Sequence, residues 1–244
     1  MLSVYSVDLM RSLPLLAAAL LFLPARAGDL TAPMDVRTIE GWTVRVRPSL
    51  LADQKDATEK ALALLQIQLA EIVRVVPAST AAKLREVPLW FSPEYPGVAP
   101  RAEYHPDRRW LAANGRAIEM ARAVEFTNVR IFAEETRRMP NFALHELAHA
   151  FHDRVLGFDQ PEIKAAYDRA KASGTYEKVE RWHGDARKPT QERAYAMVNE
   201  REYFAETTEA FFARNDFYPF TRAELDKHDA GMAALLLRMW TGDQ

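Results

Sequence analysis

Residues His145-Glu146-Leu147-Ala148-His149 restrict what this chain can fold into more tightly than any other stretch. The pattern H-E-x-x-H sets two imidazoles four residues apart. On an α-helix that spacing differs by only about 40° of rotation, so both rings can face one metal ion. The glutamate beside the first histidine sits at the edge of the same face, where it reaches a metal-held water without being a ligand and can act as general base. The alternative, a solvated helix carrying two surface histidines, is disfavoured by the flanks. Asn141 after Pro140 is a suitable N-cap, and Phe142, Leu144, Leu147, Ala148, Phe151 and Val155 give the helix a buried side that ends at Gly157.

Two histidines do not complete a catalytic zinc site, which usually takes three protein ligands and leaves the fourth position to water. The metzincin continuation requires Gly at 152 and His at 155, where the chain has His152 and Val155, so that subclass is excluded. There are no cysteines, so no thiolate completes the site and no disulfide supports the fold. Downstream, Glu202, Glu206 and Glu209 fall on one helical stripe at i, i+4, i+7. Such a stripe is usually a solvated face; beside an H-E-x-x-H helix it offers the third ligand of a His₂Glu site, and a carboxylate one turn further on that accepts the other N–H of a ligand histidine. A local conflict stands here. Asn199 with Glu202 also fits a capping pair, in which Glu202 folds back onto the helix start instead of binding metal.

The segment Asn199-Glu200-Arg201-Glu202-Tyr203-Phe204-Ala205-Glu206, with Tyr195 before it, resembles the gluzincin peptidases, in particular the catalytic domain of anthrax toxin lethal factor and related exported bacterial metalloproteins. The likeness covers residues 140–213. It implies a zincin-like fold and one Zn²⁺ per chain held by His145, His149 and Glu202. It also implies Glu146 as general base, Tyr195 as donor to the transition state, and Glu206 as the carboxylate that orients a ligand. The implied activity is hydrolysis of peptide bonds in a peptide or protein by Glu-assisted attack of a zinc-bound water. A non-catalytic zinc-binding interaction module, and a zinc hydrolase of non-protein amides such as cell-wall material, share the same motif. His183 is a second candidate for the oxyanion donor. His152 reads as packing or substrate contact, Asp153 as either a partner of His149 or a surface carboxylate, and His105 and His228 as structural.

The rest of the chain reads as α+β, with a small mixed or mostly antiparallel sheet packed on the active-site helix and a helical C-terminal part. Trp42–Val46 alternates as an early strand, and Asp53–Val76 carries a helical stripe of Leu62, Leu65, Leu69, Ile72, Val73 and Val76. Val87–Phe91 is a short apolar strand. Asn114-Gly115 between Trp110-Leu111 and Ile118–Met120 is the strongest hairpin signal. The resemblance to the zincins implies an edge strand that aligns substrate, and residues 124–129 are the candidate for it. Helices are expected at Pro161–Gly174, at Asn199–Arg214 and after a Thr221/Glu224 capping box, with 175–190 an irregular loop.

Arg11, the apolar run Leu13–Leu23 and Ala25-Arg26-Ala27 read as a secretory signal peptide over residues 1–27, with Met10 as an alternative start and a buried N-terminal helix or an uncleaved anchor as the alternative readings. Residues 28–244 then form one domain, with an N-terminal strand and helix over 28–86 and the catalytic part over 87–244. The protein is expected to be secreted or periplasmic, without stable membrane insertion after signal cleavage. A net charge of −2 gives no electrostatic case for nucleic acid.

Overall fold

The computed structural model describes residues 33–242; the expected signal peptide lies outside them. Strands β1 (Asp35–Ile39) and β2 (Trp42–Val46) form an antiparallel hairpin. Its two-residue turn is Glu40-Gly41, both at positive φ (51° and 91°), as a type I′ turn requires. Helices α1 (Pro48–Asp53), α2 (Lys55–Val75) and α3 (Ala78–Leu84) cross over to β3 (Leu89–Phe91), which therefore runs parallel to β2. The chain then passes to β4 (Ala102–Tyr104), α4 (Arg108–Ala113) and a 3₁₀ turn at Ile118–Met120. It returns as β5 (Val124–Phe126), parallel to β3 and antiparallel to β4.

The resulting order, β1-β2-β3-β5-β4, makes a mixed sheet, with as many parallel as antiparallel pairings, rather than a mostly antiparallel one. It also corrects the edge. β5 is internal, and β4, which precedes it in sequence, takes the outer position. The expected hairpin at Asn114-Gly115 is instead the end of α4. Gly115 (φ 66°) is the left-handed residue of the cap, and Arg116 N–H closes back on Leu111 O at 2.9 Å. An Asn-Gly pair serves a hairpin or a helix end with the same left-handed glycine, and Asn114 at φ −102° shows which was chosen.

After α5 (Phe132–Arg138), the H-E-x-x-H segment is α6 (Phe142–Phe151). Asn141 caps it, accepting from Leu144 N–H at 3.1 Å, and Gln68 of α2 accepts from Ala143 N–H at 3.0 Å. Two of the four free amides of the helix start are satisfied this way. Phe132 packs on Phe142 at 4.7 Å between ring centres, and Phe126 lies within 6.1 Å of Phe142, so aromatic contacts join the sheet to the start of α6. α6 passes into a π-helical turn, His152–Leu156, that ends at Gly157 (φ 82°).

The C-terminal part holds α7 (Pro161–Ser173), a two-stranded ribbon of β6 (Val179–Arg181) and β7 (Thr190–Glu192), and α8 (Glu200–Phe212). The ribbon occupies part of the expected loop. The final helical stretch is two helices, α9 (Arg222–His228) and α10 (Ala230–Thr241), divided at Asp229. Asp229 accepts from Met232 N–H at 3.1 Å and from the Tyr203 hydroxyl at 2.5 Å, so the break anchors both helices to α8. The Thr221/Glu224 capping box is present. Among the described residues no helix is long and apolar enough to cross a membrane.

Candidate metal centre

Helices α6 and α8 pack face to face, and that packing brings His145, His149 and Glu202 together. His145 Nε2 lies 3.2 Å from His149 Nε2 and 3.2 Å from Glu202 Oε2, and His149 Nε2 lies 3.3 Å from the same oxygen. Ligands about 2.0–2.1 Å from a tetrahedral zinc are separated by about 3.3–3.4 Å. The three atoms therefore fit the base of a zinc tetrahedron, and the chemistry of two imidazoles and one carboxylate suits that ion. The capping conflict at Glu202 is resolved by Asn199 alone. Its side chain accepts from Arg201 N–H (2.9 Å) and Glu202 N–H (3.0 Å), which leaves the Glu202 carboxylate free to face the histidines.

Glu202 and His145 also perturb each other's ionisation. Burial opposes ionisation of Glu202, but hydrogen bonds from His145 and His149 more than offset it and hold its carboxyl well below the usual range. Burial likewise opposes a charge on His145, yet Glu202 and Glu209 raise its pKa well above the ordinary value.

The carboxylate that orients His145 is Glu209, not Glu206. His145 Nδ1–H donates to Glu209 Oε1 at 2.5 Å, while Glu206 Oε1 is 3.6 Å away and the other Glu206 oxygen accepts from Asn215 Nδ2 at 3.2 Å. The imidazole lies along α8 with one carboxylate at each nitrogen. Partners at opposite ends of the ring need two helical turns between them (202 and 209), so the residue one turn on falls beside the ring. The same i+7 relation was visible in sequence as the third member of the glutamate stripe. Burial pushes the Glu209 carboxyl up to about 7 although His145 pulls it down, and Glu206, fully buried beside Asp216 and Glu209, is raised well above its normal value.

Glu146 lies next to the triangle of His145, His149 and Glu202 but outside it. Its Oε2 accepts from the backbone N–H of Tyr104 on β4 at 2.8 Å. Tyr195, in a 3₁₀ turn (Tyr195–Met197), lines a cleft of about 320 Å³ together with His145, Glu146, Ala102, Met139, Phe142 and Phe217. Its hydroxyl, 46% exposed as a residue, is kept protonated by partial burial and by the negative charge of Glu202.

The other candidates are placed elsewhere. His183 bonds Thr190 Oγ1 at 2.7 Å on the β6–β7 ribbon. His152 is buried between the rings of Phe158 and Phe204, with no hydrogen-bond partner at either nitrogen, and burial with nearby His149 and Arg201 pushes its pKa down to about 4. Asp153 accepts from the Tyr104 hydroxyl (2.6 Å) and from Arg122 Nε (3.1 Å), so it is not the partner of His149. His228 sits edge-on against Tyr176 and Tyr218.

A second group, Glu103, His105 and Glu125, also brings donor atoms within 4.8 Å of one another. Arg116 already supplies its positive charge, with Nη1 2.6 Å from Glu103 and 3.1 Å from Glu125. That group is an internal ion cluster rather than a metal site. No family model, no curated protein and no solved structure matches this chain.

Proposed function

We propose that this chain is an exported zinc-dependent metallopeptidase of the zincin class, gluzincin-like in its ligand set. The observation that carries the reading is the triangle of His145, His149 and Glu202, spaced at 3.2–3.3 Å, with Glu146 beside it and not part of it. A purely structural zinc site is closed by a fourth protein ligand and has no use for an adjacent free carboxylate. When bound, zinc supplies a Lewis acid and lowers the pKa of water in its open position.

The chain's own residues do the rest. Glu146 takes the proton of the attacking water and passes it to the leaving amine. Tyr195, protonated and facing the same cleft, donates a hydrogen bond where negative charge develops on the carbonyl oxygen. Glu209 holds His145 in the tautomer whose Nε2 is free to bind metal. The outer edge of β4 borders the cleft at Arg101 and Ala102, and there an extended peptide adds as a further strand.

The test is to load the mature chain with zinc, incubate it with a diverse peptide library, and map cleavage by mass spectrometry with Glu146→Gln as the blank. Cuts made only by the wild type establish the peptidase. Bound zinc without cuts transfers the assignment to a non-peptide amide substrate or to a binding module.

A further inference from the structure

The general base is fastened to the edge of the sheet, and the fastening runs through a side-chain network outside the metal centre. In the β4–β5 ladder, His105 N–H bonds Ala123 O (3.0 Å) and Thr127 N–H bonds Arg101 O (2.9 Å). Antiparallel alternation then turns the backbone groups of Ala102 and Tyr104 away from β5, toward the open edge. The outward amide of Tyr104 is the one that reaches Glu146, at 2.8 Å.

β4 is only three residues long and is flanked by exposed turns around Gly97 and Asp107, so its own ladder holds it weakly. Two anchors compensate. On one face Glu103 and His105 enter the ion cluster with Arg116 and Glu125. On the other, the buried Tyr104 hydroxyl donates to Asp153 Oδ2 at 2.6 Å, and Asp153 stands in the π-helical turn that continues α6. Arg122 completes this second anchor, with Nε on Asp153 at 3.1 Å and N–H on His105 O at 2.6 Å. Arg122 does so from a left-handed backbone (φ 62°), a conformation that a non-glycine residue holds only where its surroundings impose it.

We propose that Tyr104, Asp153 and Arg122 form a clamp that positions Glu146: by tying the edge strand to the end of the H-E-x-x-H helix, it sets the Tyr104 amide against the carboxylate that removes the proton. Tyr104 and Asp153 are positioning residues that act through the Tyr104 amide on Glu146. The inference rests on the reading of Glu146 as the general base, and it ties two things that are usually separate. Alignment of the substrate strand at Ala102 and alignment of the base at Tyr104 belong to the same three residues of backbone.

The experiment uses zinc-loaded protein and three variants, Tyr104→Phe, Asp153→Ala and Asp153→Asn, with zinc content, kcat and KM on a cleaved peptide, and the ¹⁵N-resolved amide proton of Tyr104. An amide bonded to a carboxylate resonates downfield, so Glu146→Ala moves the Tyr104 proton upfield and calibrates the signal. Asp153→Ala and Tyr104→Phe are expected to keep zinc, to lower kcat about tenfold, less than the roughly 10²-fold that a full 1 Å misplacement costs, to raise KM by a smaller factor because the substrate strand shares the same backbone, and to move the residue-104 amide in the same direction as Glu146→Ala. Asp153→Asn, which keeps an acceptor for the hydroxyl, restores most of kcat. An unmoved amide in Asp153→Ala, or a loss that falls on KM or zinc with kcat intact, overturns the clamp. If the wild type cleaves no peptide, the peptidase reading fails on that result alone, while the amide shift still decides whether the clamp sets Glu146.

Discussion

Replacing Glu209 with Gln is the sharpest test of how the metal centre is held. The Glu209 carboxylate is fully buried and accepts from His145 Nδ1–H at 2.5 Å, which fixes both the tautomer and the ring orientation of a ligand. A hydrogen bond to a charged group contributes about 1.5–3 kcal/mol, and tenfold in an equilibrium constant is about 1.4 kcal/mol. Gln keeps an acceptor oxygen but loses the charge. Against the about 0.5–1.5 kcal/mol of a neutral bond the loss is about 1–1.5 kcal/mol, so zinc binding should weaken roughly 5- to 12-fold, at the low end of the about 10–100-fold typical of such outer partners. Glu206 provides the internal control. It lies on the same helix and is equally buried, but at 3.6 Å from the ring it makes no such bond, so Glu206→Gln should change zinc affinity by less than about threefold. Competition titration against a chromogenic chelator at fixed pH measures both. If Glu206→Gln proves the more damaging, or if Glu209→Gln binds zinc as the wild type does, the assignment of the orienting carboxylate is wrong.

Four further outcomes are expected. Glu146→Gln should retain zinc and lose about 10²–10⁴ in kcat, whereas Glu202→Ala should lose zinc outright in dialysed protein analysed by plasma emission. Tyr195→Phe should lower kcat by about 10²–10³ with metal content unchanged; an unaltered rate would remove the tyrosine from the oxyanion role. The fourth concerns pH in the metal-free protein. Burial, with Asp216 and Glu209, raises the folded-state pKa of Glu206 above its usual 4.5, so the stability attached to this group is fully present below that value and declines as pH rises toward the folded pKa. Glu206→Gln abolishes the decline, and its Tm advantage over the wild type should grow from pH 4 to pH 7; a pH-independent difference would count against it.

The H-E-x-x-H helix was legible because everything that defines it is local. Asn141 caps it, Gly157 ends it, and the i, i+4 spacing alone puts His145 and His149 on one face. The stripe of Glu202, Glu206 and Glu209 was legible for the same reason, whereas the choice of Glu202 within it came from the resemblance to the gluzincins. Local chemistry misled where one signal serves two structures, as at Asn114-Gly115, where a helix cap uses the same left-handed glycine as a hairpin.

Which glutamate bonds the far nitrogen of His145 depended on how the ring lies along α8, a matter of helix packing that periodicity does not encode. The edge position of β4 depended on a chain that passes outside the strand it precedes, because sheet order is set by long-range pairing. The contact from Tyr104 to Glu146 lies at the far end of this scale. Its donor is a backbone N–H, which every residue but proline carries, so no side-chain pattern announces it. Sequence supplied the groups on which the proposed chemistry rests; the packing of α6 against α8 and against β4 decided which of their neighbours hold them in place.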